Sequence, residues 1–201
     1  MHPIRAIAQI QDPQLLGLRL KNEDQEAFSA LFQLFRVPLM NYVWWIVRDE
    51  AVTEDIVQEV FIKLWNIRSE IDGHKSIRAL LYTIARNLAL NAKRSFHQQM
   101  VQIEAANHTL SADPNPLESL ETSALAEQLD DWIEALPERR REAFRLSRFE
   151  GLSHDEIAEL MSLSPATVNR HIGLALQTLR DLMIKNDSDW KKYVEFNTKN
   201  A

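Results

Sequence analysis

The sequence predicts an all-α protein made of two small helical domains joined by a flexible linker, with a helix-turn-helix in the second domain. Three observations lead to this fold class. Apolar residues recur at helical spacing in two blocks, residues 15–96 and 124–185. Strand-like alternation is nearly absent, and the 201 residues include four glycines. Residues 97–123 contain two prolines, scattered serines and no apolar period, as linkers do.

Composition limits the class of protein. The chain is 45% apolar and 26% charged, which is typical of a soluble globular protein. It has no cysteine, which excludes a disulfide framework and any zinc or iron–sulfur site held by thiolates. Prolines and polar residues interrupt the N-terminal "MHPIRAIAQIQDPQ" before a long apolar run forms. We therefore expect no signal peptide, no membrane insertion, a cytoplasmic location, and no cofactor or bound metal.

The first informative helix is predicted within residues 53–65, "TEDIVQEVFIKLW". Four apolar residues form its buried stripe: Val57, Val60, Phe61 and Leu64. Four residues fall on the opposite face: Asp55, Gln58, Glu59 and Ile62. Acidic residues are ordinary on a solvated face, but an exposed isoleucine among them is more typical of a contact surface. We interpret this face as a docking site for a basic partner helix.

A polar loop followed by a second amphipathic helix is predicted within residues 71–95, "IDGHKSIRALLYTIARNLALNAKRS". The predicted buried stripe consists of Leu80, Leu81, Ile84, Ala85 and Leu88. The loop and the other side of the helix carry polar and basic side chains with one aromatic ring: His74, Lys75, Arg78, Tyr82, Arg86, Asn87, Lys93 and Arg94. Cations interleaved with an aromatic ring suit single-stranded DNA, because charge follows the backbone and rings stack on bases. A solvated amphipathic helix with no ligand gives the same pattern.

Residues 152–180, "LSHDEIAELMSLSPATVNRHIGLALQTLR", predict two helices joined by a tight turn. Ser153 and Glu156 have the spacing of a capping box, so one helix is expected to start near His154. Ser164 and Pro165 suit the N-cap and the first position of the next helix. This is the helix-turn-helix of the predicted fold.

The second helix of this pair has a predicted buried stripe of five residues: Val168, Ile172, Ala175, Leu176 and Leu179. Its other face is small and polar, with one long cation: Ala166, Thr167, Asn169, Arg170, Gly173 and Gln177. Small side chains allow close approach to a DNA major groove, and Asn, Arg and Gln can pair with base edges. A helical hairpin with a solvated outer face explains the same residues.

The net charge of −6 opposes DNA binding, but the charge is unevenly distributed. The linker holds four acidic residues and no lysine or arginine. Five arginines precede the helix-turn-helix: Arg139, Arg140, Arg141, Arg145 and Arg148. A local basic stripe on an acidic protein fits a DNA contact made within a larger assembly. Pairing of these arginines with Glu138 and Glu142 along a solvated helix is the alternative.

Four segments resemble, in family order, the extracytoplasmic-function sigma factors of bacterial RNA polymerase. "EDQEAFSALFQLF" is similar to the family's first helix and "EDIVQEVFIKLW" to its core-polymerase-binding helix. "ALLYTIARNLALNAKR" is similar to the promoter-melting helix. "ALPERRREAFRLSRFEGLSHDEIAELMSLSPATVNRHIGLALQTLR" is similar to the C-terminal promoter-reading domain. Together these segments cover most of residues 15–182.

The resemblance implies an alternative sigma factor, which is a specificity subunit and not itself an enzyme. Such a protein binds core polymerase, recognises the −35 and −10 promoter elements and promotes DNA melting. The implied organisation is a region 2-like domain at 15–96, a linker at 97–123, a region 4-like domain at 124–185 and a tail at 186–201. The implied partners are bacterial core RNA polymerase, promoter DNA and an anti-sigma factor, which in this family can be membrane-bound.

The resemblance also implies roles for individual residues. Those implied to grip the polymerase's largest subunit, or to lie beside that grip, are Asp55, Gln58, Glu59 and Ile62. Those implied to hold or read the −10 strand are His74, Lys75, Arg78, Tyr82, Arg86, Asn87, Lys93 and Arg94. Those implied to contact the −35 element are Thr167, Asn169, Arg170 and His171 in the major groove, with Arg148 and Ser164 near phosphates. The chain departs from the family at Gly173 and Leu174, where relatives often carry polar or basic residues.

Two other classes of protein remain open at this point. A stand-alone helix-turn-helix regulator would bind duplex DNA without polymerase, usually as a dimer, although no dimerisation helix is evident. A metal-dependent nuclease could use clustered carboxylates as ligands: Asp49, Glu50, Glu54, Asp55 and Glu59. Dependence of DNA cleavage on a divalent metal would favour the nuclease.

Overall fold

The computed structural model describes residues 12–104 and 124–186, with side chains described for 12–96 and 128–186. Every regular element in those ranges is helical. The chain divides into two compact units, Met1–Leu117 and Glu118–Ala201. The predicted all-α class with two helical domains is therefore confirmed.

Within residues 12–104, the first unit contains four α-helices and one short 3-10 helix. They are α1 (Pro13–Lys21), α2 (Gln25–Val47), α3 (Glu50–Asn66), the 3-10 helix (Arg68–Glu70) and α4 (Ile77–Glu104). Each of the first three begins after an aspartate, Asp12, Asp24 or Asp49, whose carboxylate accepts hydrogen bonds from backbone N–H groups of the first turn. Arg48 ends α2 in a left-handed conformation, with φ of 57°.

Helix α2 forms the centre of the first unit. Its length and mean hydropathy of 1.2 would also suit a membrane crossing. Four of its apolar side chains, Ala27, Leu31, Leu39 and Val43, are completely buried within the unit. The helix packs against α1, α3 and α4. Its apolar character is therefore explained by its place in a helical core.

The buried stripe of α3 agrees with the sequence, and that of α4 agrees in part. Val57, Val60, Phe61 and Leu64 are buried, as predicted. The buried residues of α4 are Ile77, Ala79, Leu81, Tyr82, Ala85 and Ala89. Leu80, Ile84 and Leu88 are half-buried, so their assignment to the core was wrong. Three of these buried residues are alanines, whose small side chains let neighbouring helices approach closely.

Tyr82 was assigned to the solvent face of α4, and the structure corrects that assignment. The residue is 1% exposed. Its ring lies edge-on to the ring of Tyr42 on α2, with 5.2 Å between ring centroids. Tyr82 is therefore a core residue and does not offer a stacking surface to a DNA base.

Helix α4 continues to Glu104, beyond residue 96, where the sequence placed the domain boundary. No glycine or proline interrupts residues 97–104, so the helical backbone has no reason to stop at 96. Residues 105–123 of the predicted linker and residues 187–201 of the predicted tail lie outside the described residues.

The second unit contains α5 (Ala124–Glu134), α6 (Glu138–Arg148), α7 (His154–Met161) and α8 (Pro165–Asn186). One cluster of its core joins α5, α6 and α8 through Ile133, Leu136, Phe144, Ala175 and Leu179. Val168 and Ile172 are buried as predicted. Leu176 is 41% exposed, so its assignment to the buried stripe was wrong. It lies one residue, about 100°, beyond Ala175 on the helix.

The helix-turn-helix is built from the predicted caps. The Ser153 N–H donates to Glu156 Oε2 at 2.7 Å, and the Glu156 N–H donates to Ser153 Oγ at 3.2 Å, which completes the capping box of α7. Ser162 then turns the chain in a left-handed conformation, with φ of 54°. Ser164 Oγ accepts a hydrogen bond from the Thr167 N–H at 3.1 Å at the start of α8.

Candidate protein-binding and nucleic-acid interfaces

The exposed face of α3 carries the four residues predicted to dock on a partner. Asp55, Gln58 and Ile62 are exposed, and the Ile62 side chain is 54% exposed despite being apolar. Glu59 is half-buried and pairs with Lys63 one turn away, with 3.5 Å between Glu59 Oε1 and Lys63 Nζ. The structure thus places all four residues, including both carboxylates, on one accessible face of α3.

This face borders an apolar groove between α2 and α3. Gln58 and Ile62 line the groove, whose volume is about 640 Å³. Four aromatic side chains also line it: Phe28, Phe32, Phe61 and Trp65. Their rings pack against one another, with centroids 4.8 Å apart for Phe32 and Phe61 and 5.3 Å apart for Phe28 and Trp65. The apolar groove thus lies beside a helix face that carries two carboxylates, which suits a partner helix with both apolar and basic side chains.

Sequence reasoning missed the aromatic part of this surface. Phe28 and Phe32 are four residues apart on α2, and Phe61 and Trp65 are four residues apart on α3, so each pair shares a helix face. That spacing was the available signal. Phe61 was assigned to the core, and it is both buried and in contact with the groove.

The loop between the 3-10 helix and α4 presents His74 and Lys75 to solvent. Asp72 shapes it: its carboxylate accepts a hydrogen bond from the His74 N–H at 2.9 Å, and its carbonyl oxygen accepts one from the Lys75 N–H at 3.1 Å. Ser76 Oγ accepts a hydrogen bond from the Ala79 N–H at 3.2 Å, at the start of α4. The loop is thus a tight turn that leads directly into the helix.

The remaining residues predicted to contact the −10 strand lie along α4. Arg86 and Lys93 are two helical turns apart and share one flank, while Asn87 and Arg94 share the neighbouring exposed face. Asn87, Lys93 and Arg94 are exposed, and Arg78 and Arg86 are half-buried. The helix therefore offers a cationic surface, without the aromatic ring of Tyr82.

On α8, Asn169 and Arg170 are exposed and Thr167 is half-buried. The hydroxyls of Thr167 and Ser164 are hydrogen-bonded to each other at 2.8 Å. Arg148 is exposed at the end of α6. Gly173 lies on the same face of α8 as Arg170, and a Cβ placed on it would meet nothing within 4 Å. The exposed face of α8 thus carries polar side chains next to Gly173, a position with no side chain and open space around it.

His171 on α8 lies among positively charged side chains from both α6 and α8. Burial lowers the pKa of the His171 imidazole. Nearby positive charge lowers that pKa further, and it comes from Arg140, Arg139 and Arg170. The His171 Nδ1 atom is buried and has no hydrogen-bond partner among the described residues. Burial and these charges therefore favour the neutral form of the ring, and Arg139 and Arg140 of α6 lie near enough to α8 for their positive charge to act on His171.

The five arginines before the helix-turn-helix divide into two groups. Arg141 and Arg145 both contact the carboxylate of Glu134 on α5, at 2.6 and 3.8 Å, and so hold α6 to α5. Arg139 and Arg148 are exposed and Arg140 is half-buried. The sequence singled out the cluster of arginines, but it did not separate those that support the fold from those that face outward.

The carboxylates considered as nuclease ligands are not gathered into a metal site. The Asp49 carboxylate caps α3 by accepting a hydrogen bond from the Val52 N–H at 2.9 Å. Within residues 12–96 and 128–186, no three His, Asp or Glu side chains are grouped so that they could hold a metal ion. This part of the chain therefore gives no support to the nuclease interpretation.

Comparison with protein families matches both units. A family model described as "Sigma-70 region 2" matches residues 31–98, and one described as "Sigma-70, region 4" matches residues 126–179. The chain is 31% identical to the ECF RNA polymerase sigma-E factor of Escherichia coli over 175 residues, covering 83% of this chain and 91% of that protein. It is 28% identical to the RNA polymerase sigma-H factor of Pseudomonas aeruginosa, covering 86% of this chain and 94% of that protein.

Two solved structures share the fold. One is CnrH in complex with the cytosolic domain of CnrY, with a TM-score of 0.61 and 22% identity over 88% of this chain and all of that chain. The other is the sigma factor RpoE of Bartonella quintana in complex with the anti-sigma factor NepR, with a TM-score of 0.59 and 20% identity over 80% of this chain and 98% of that chain. With both sigma-70 regions present and a 31%-identical relative covered almost throughout, the chain belongs to the ECF-type sigma factors of the sigma-70 family, the non-catalytic subunits that direct RNA polymerase to promoters and start transcription.

Proposed function

We propose that the two units divide the work of a sigma factor between named surfaces. Residues 15–96 dock on core polymerase and open the −10 element, residues 97–123 join the domains, and residues 124–185 read the −35 element. The observation that carries this proposal is the α3 surface, where two residues expected to grip polymerase, Gln58 and Ile62, line an aromatic groove beside two carboxylates.

The proposed polymerase contact consists of Asp55, Gln58, Glu59 and Ile62, extended by the groove. An exposed isoleucine at the mouth of an aromatic groove loses water-exposed apolar area when a partner helix covers it. The carboxylates of Asp55 and Glu59 then meet basic side chains at the rim, which favours encounter and orientation. A helix of the polymerase's largest subunit with basic and apolar residues on one face is the proposed occupant.

The proposed −10 contact consists of the loop residues His74 and Lys75 together with five residues of α4: Arg78, Arg86, Asn87, Lys93 and Arg94. Opening DNA costs on average ~1.4 kcal/mol per stacked step, so the separated strand must be held once it forms. Cations spaced along α4 can follow its phosphates. Tyr82 is excluded from this set because it is buried against Tyr42.

The proposed −35 contact consists of Thr167, Asn169, Arg170 and His171, with Arg148 and Ser164 near phosphates. Asn and Arg can make two hydrogen bonds to one base edge, so they supply sequence preference. To these we add Arg139 and Arg140, because their charges act on His171 across the junction of α6 and α8. A phosphate there meets positive charge from two helices.

Replacing Arg170 with alanine should relax the −35 preference by about 1–3 kcal/mol at one base position, because a two-bonded base contact is lost. The measurement is transcription by the holoenzyme from a library randomised at the −35 element. Arg180→Ala is the matched control, since Arg180 is also exposed but lies three turns further along α8. An unchanged −35 preference in Arg170→Ala would remove Arg170 from the base-reading set.

Replacing Arg139 and Arg140 together with alanine should weaken promoter binding equally for all −35 sequences. Each lost phosphate contact should make the slope of log affinity against log salt about 0.9 less negative, so the pair should change it by about 1.8. The measurement is holoenzyme binding to one promoter over a range of salt concentrations, with Arg180→Ala as the control. An unchanged slope would show that these two arginines do not contact phosphate.

An anti-sigma factor is a further proposed partner, because one structure that shares this fold was solved with the anti-sigma factor NepR bound, and another with the cytosolic domain of CnrY bound. The proposed location is the cytoplasm, where core polymerase and promoter DNA are found.

The first experiment mixes the purified chain with bacterial core RNA polymerase and measures co-elution, followed by run-off transcription from a promoter library. A stable complex that initiates from a shared two-part motif supports the proposed division of work and identifies the promoter. Absence of a complex, with tight binding of the free chain to duplex DNA, would instead favour a stand-alone regulator.

A further inference from the structure

Helix α1 lies along the segment that connects α3 to α4, and one glutamine of α1 holds that segment by its backbone. The Gln14 side-chain amide donates to the carbonyl oxygens of Gly73 at 2.8 Å and Lys75 at 2.7 Å. Its Oε1 atom accepts a hydrogen bond from the Ile77 N–H at 3.2 Å. One side chain thus makes three hydrogen bonds to a five-residue stretch that lies about sixty residues away in sequence.

Helix α1 also packs closely against this segment. A Cβ on Gly17 would lie 3.2 Å from the Cβ of Ile77, so the absence of a side chain lets α1 approach the first turn of α4. A Cβ on Gly73 would lie 2.6 Å from Leu18 Cδ2, so the loop backbone rests directly on α1. The contact leaves little room for the loop to shift toward the helix.

The other end of the same segment is also attached to α1 and to the turn that follows it. Lys21 Nζ donates to the carbonyl oxygen of Ile71 at 3.2 Å. Arg68 pairs with Glu23 at 2.6 Å. Gln14 is therefore the N-terminal member of a row of contacts that follows the connection from the 3-10 helix to the start of α4.

We propose that Gln14 is a positioning residue for −10 recognition: α1 fixes the backbone of residues 73–77 in the form that presents His74 and Lys75 to the DNA strand. This inference rests on the proposed assignment of the −10 contact to that loop. Helix α1 precedes residue 31, where the family match begins, so the assignment of region 2 does not itself give α1 a role in reading DNA.

The physical reason is preorganisation. A polar loop with two exposed side chains would otherwise lose conformational freedom each time it engaged a base, and that loss weakens binding. The two hydrogen bonds that Gln14 donates to carbonyl groups, and the one it accepts from the Ile77 N–H, impose this order before DNA arrives. The loop's base preference then depends on a residue that need not touch DNA.

Two substitutions at Gln14 test whether its hydrogen bonds position the loop, and they distinguish this role from an effect of charge or a loss of folding. Gln14→Met keeps the length of the side chain and removes all three hydrogen bonds without adding charge. Gln14→Glu keeps the acceptor for the Ile77 N–H and replaces the donor with a carboxylate facing two carbonyl oxygens. Gln33→Glu is the control for added charge, because Gln33 is exposed on α2 of the same unit.

The experiment has two readouts besides the thermal stability of each variant. Amide hydrogen exchange reports whether the Ile77 N–H loses protection. Holoenzyme transcription from a library with a fixed −35 element and a randomised −10 element reports base preference. We expect faster Ile77 exchange in Gln14→Met, which has no acceptor for that N–H, and a loss of −10 preference of about fivefold to tenfold in both Gln14 variants, since a hydrogen bond contributes about 1 kcal/mol. Gln33→Glu should leave both readouts unchanged.

Unchanged exchange at Ile77 in Gln14→Met would overturn the inference, because Gln14 would not hold the loop in solution. Faster exchange with an unchanged −10 preference would overturn it as well. His74→Ala and Lys75→Ala, measured in the same library, test the underlying assignment separately. If those two variants keep the −10 preference, the loop does not read the −10 element, whatever the Gln14 variants show.

Discussion

Reversing the charge of Asp55 and Glu59 to lysine should abolish co-elution of the chain with core RNA polymerase. Both carboxylates share the outer face of α3 with Gln58 and Ile62, which line the groove, so lysines there would face the basic side chains of the proposed partner helix. Close charge pairs across an interface have coupling energies of about 1.5–7 kcal/mol, and like-charge contact costs several kcal/mol more. The expected loss of affinity is therefore about a hundredfold or more.

The fold should survive this change. Asp55 is exposed, and the ion pair between Glu59 and Lys63, which is lost, is a partly exposed contact between neighbouring turns. Circular dichroism should show an unchanged helical spectrum. Asp55→Lys is also measured alone, beside Glu70→Lys, which makes the same charge change at an exposed position of the 3-10 helix. Retention of core binding by the double variant would place the polymerase contact elsewhere on the chain.

Replacing Tyr82 with alanine should destabilise the first unit by about 3–5 kcal/mol, the range found when a large buried aromatic side chain is removed. Tyr82 is 1% exposed and packs edge-on against Tyr42. Its removal leaves a cavity between α2 and α4 that close-packed helices fill poorly. The measurement is urea unfolding followed by circular dichroism, with both transitions fitted because the chain has two compact units.

Tyr82→Phe is the matched variant, because it keeps the ring and removes the hydroxyl. The free energy of unfolding of Tyr82→Phe should therefore be much closer to that of the unchanged protein than the value for Tyr82→Ala. Asn87→Ala, at an exposed position of the same helix, should change stability by less than about 0.5 kcal/mol. A loss of under 1 kcal/mol in Tyr82→Ala would contradict the burial of this ring and would return it to the set of candidate DNA contacts.

The helices and caps of this protein could be predicted because their signals are local. Ser153 and Glu156 form their capping box within four residues, so both hydrogen-bonding partners can be recognised from a short stretch of sequence. The exposed positions of Asp55 and Ile62 followed from helical spacing alone, because α3 has one buried stripe of large apolar residues.

Helical spacing failed where the helix contact is made by small residues. On α4, Leu81 and Ala85 are buried as predicted, but Ala89 was not predicted and is completely buried, while Leu80 and Leu88 are only half-buried. Tyr82 was misplaced for a related reason, because a ring with a hydroxyl suits either a core or a DNA surface. Gln14 could not be found at all, since its partners lie far away along the chain and leave no local pattern.

Gly173 shows that the chain has not been optimised for rigidity. A glycine inside a helix lowers stability by about 0.5–1 kcal/mol relative to alanine, and here a methyl group would meet no neighbouring atom within 4 Å. A protein engineer seeking a more heat-resistant variant would therefore choose this position early. Under the proposed docking the same methyl group would point into the space reserved for DNA. A substitution of Gly173 by alanine would thus raise thermal stability and lower promoter affinity, so selection for one property alone would reduce the other.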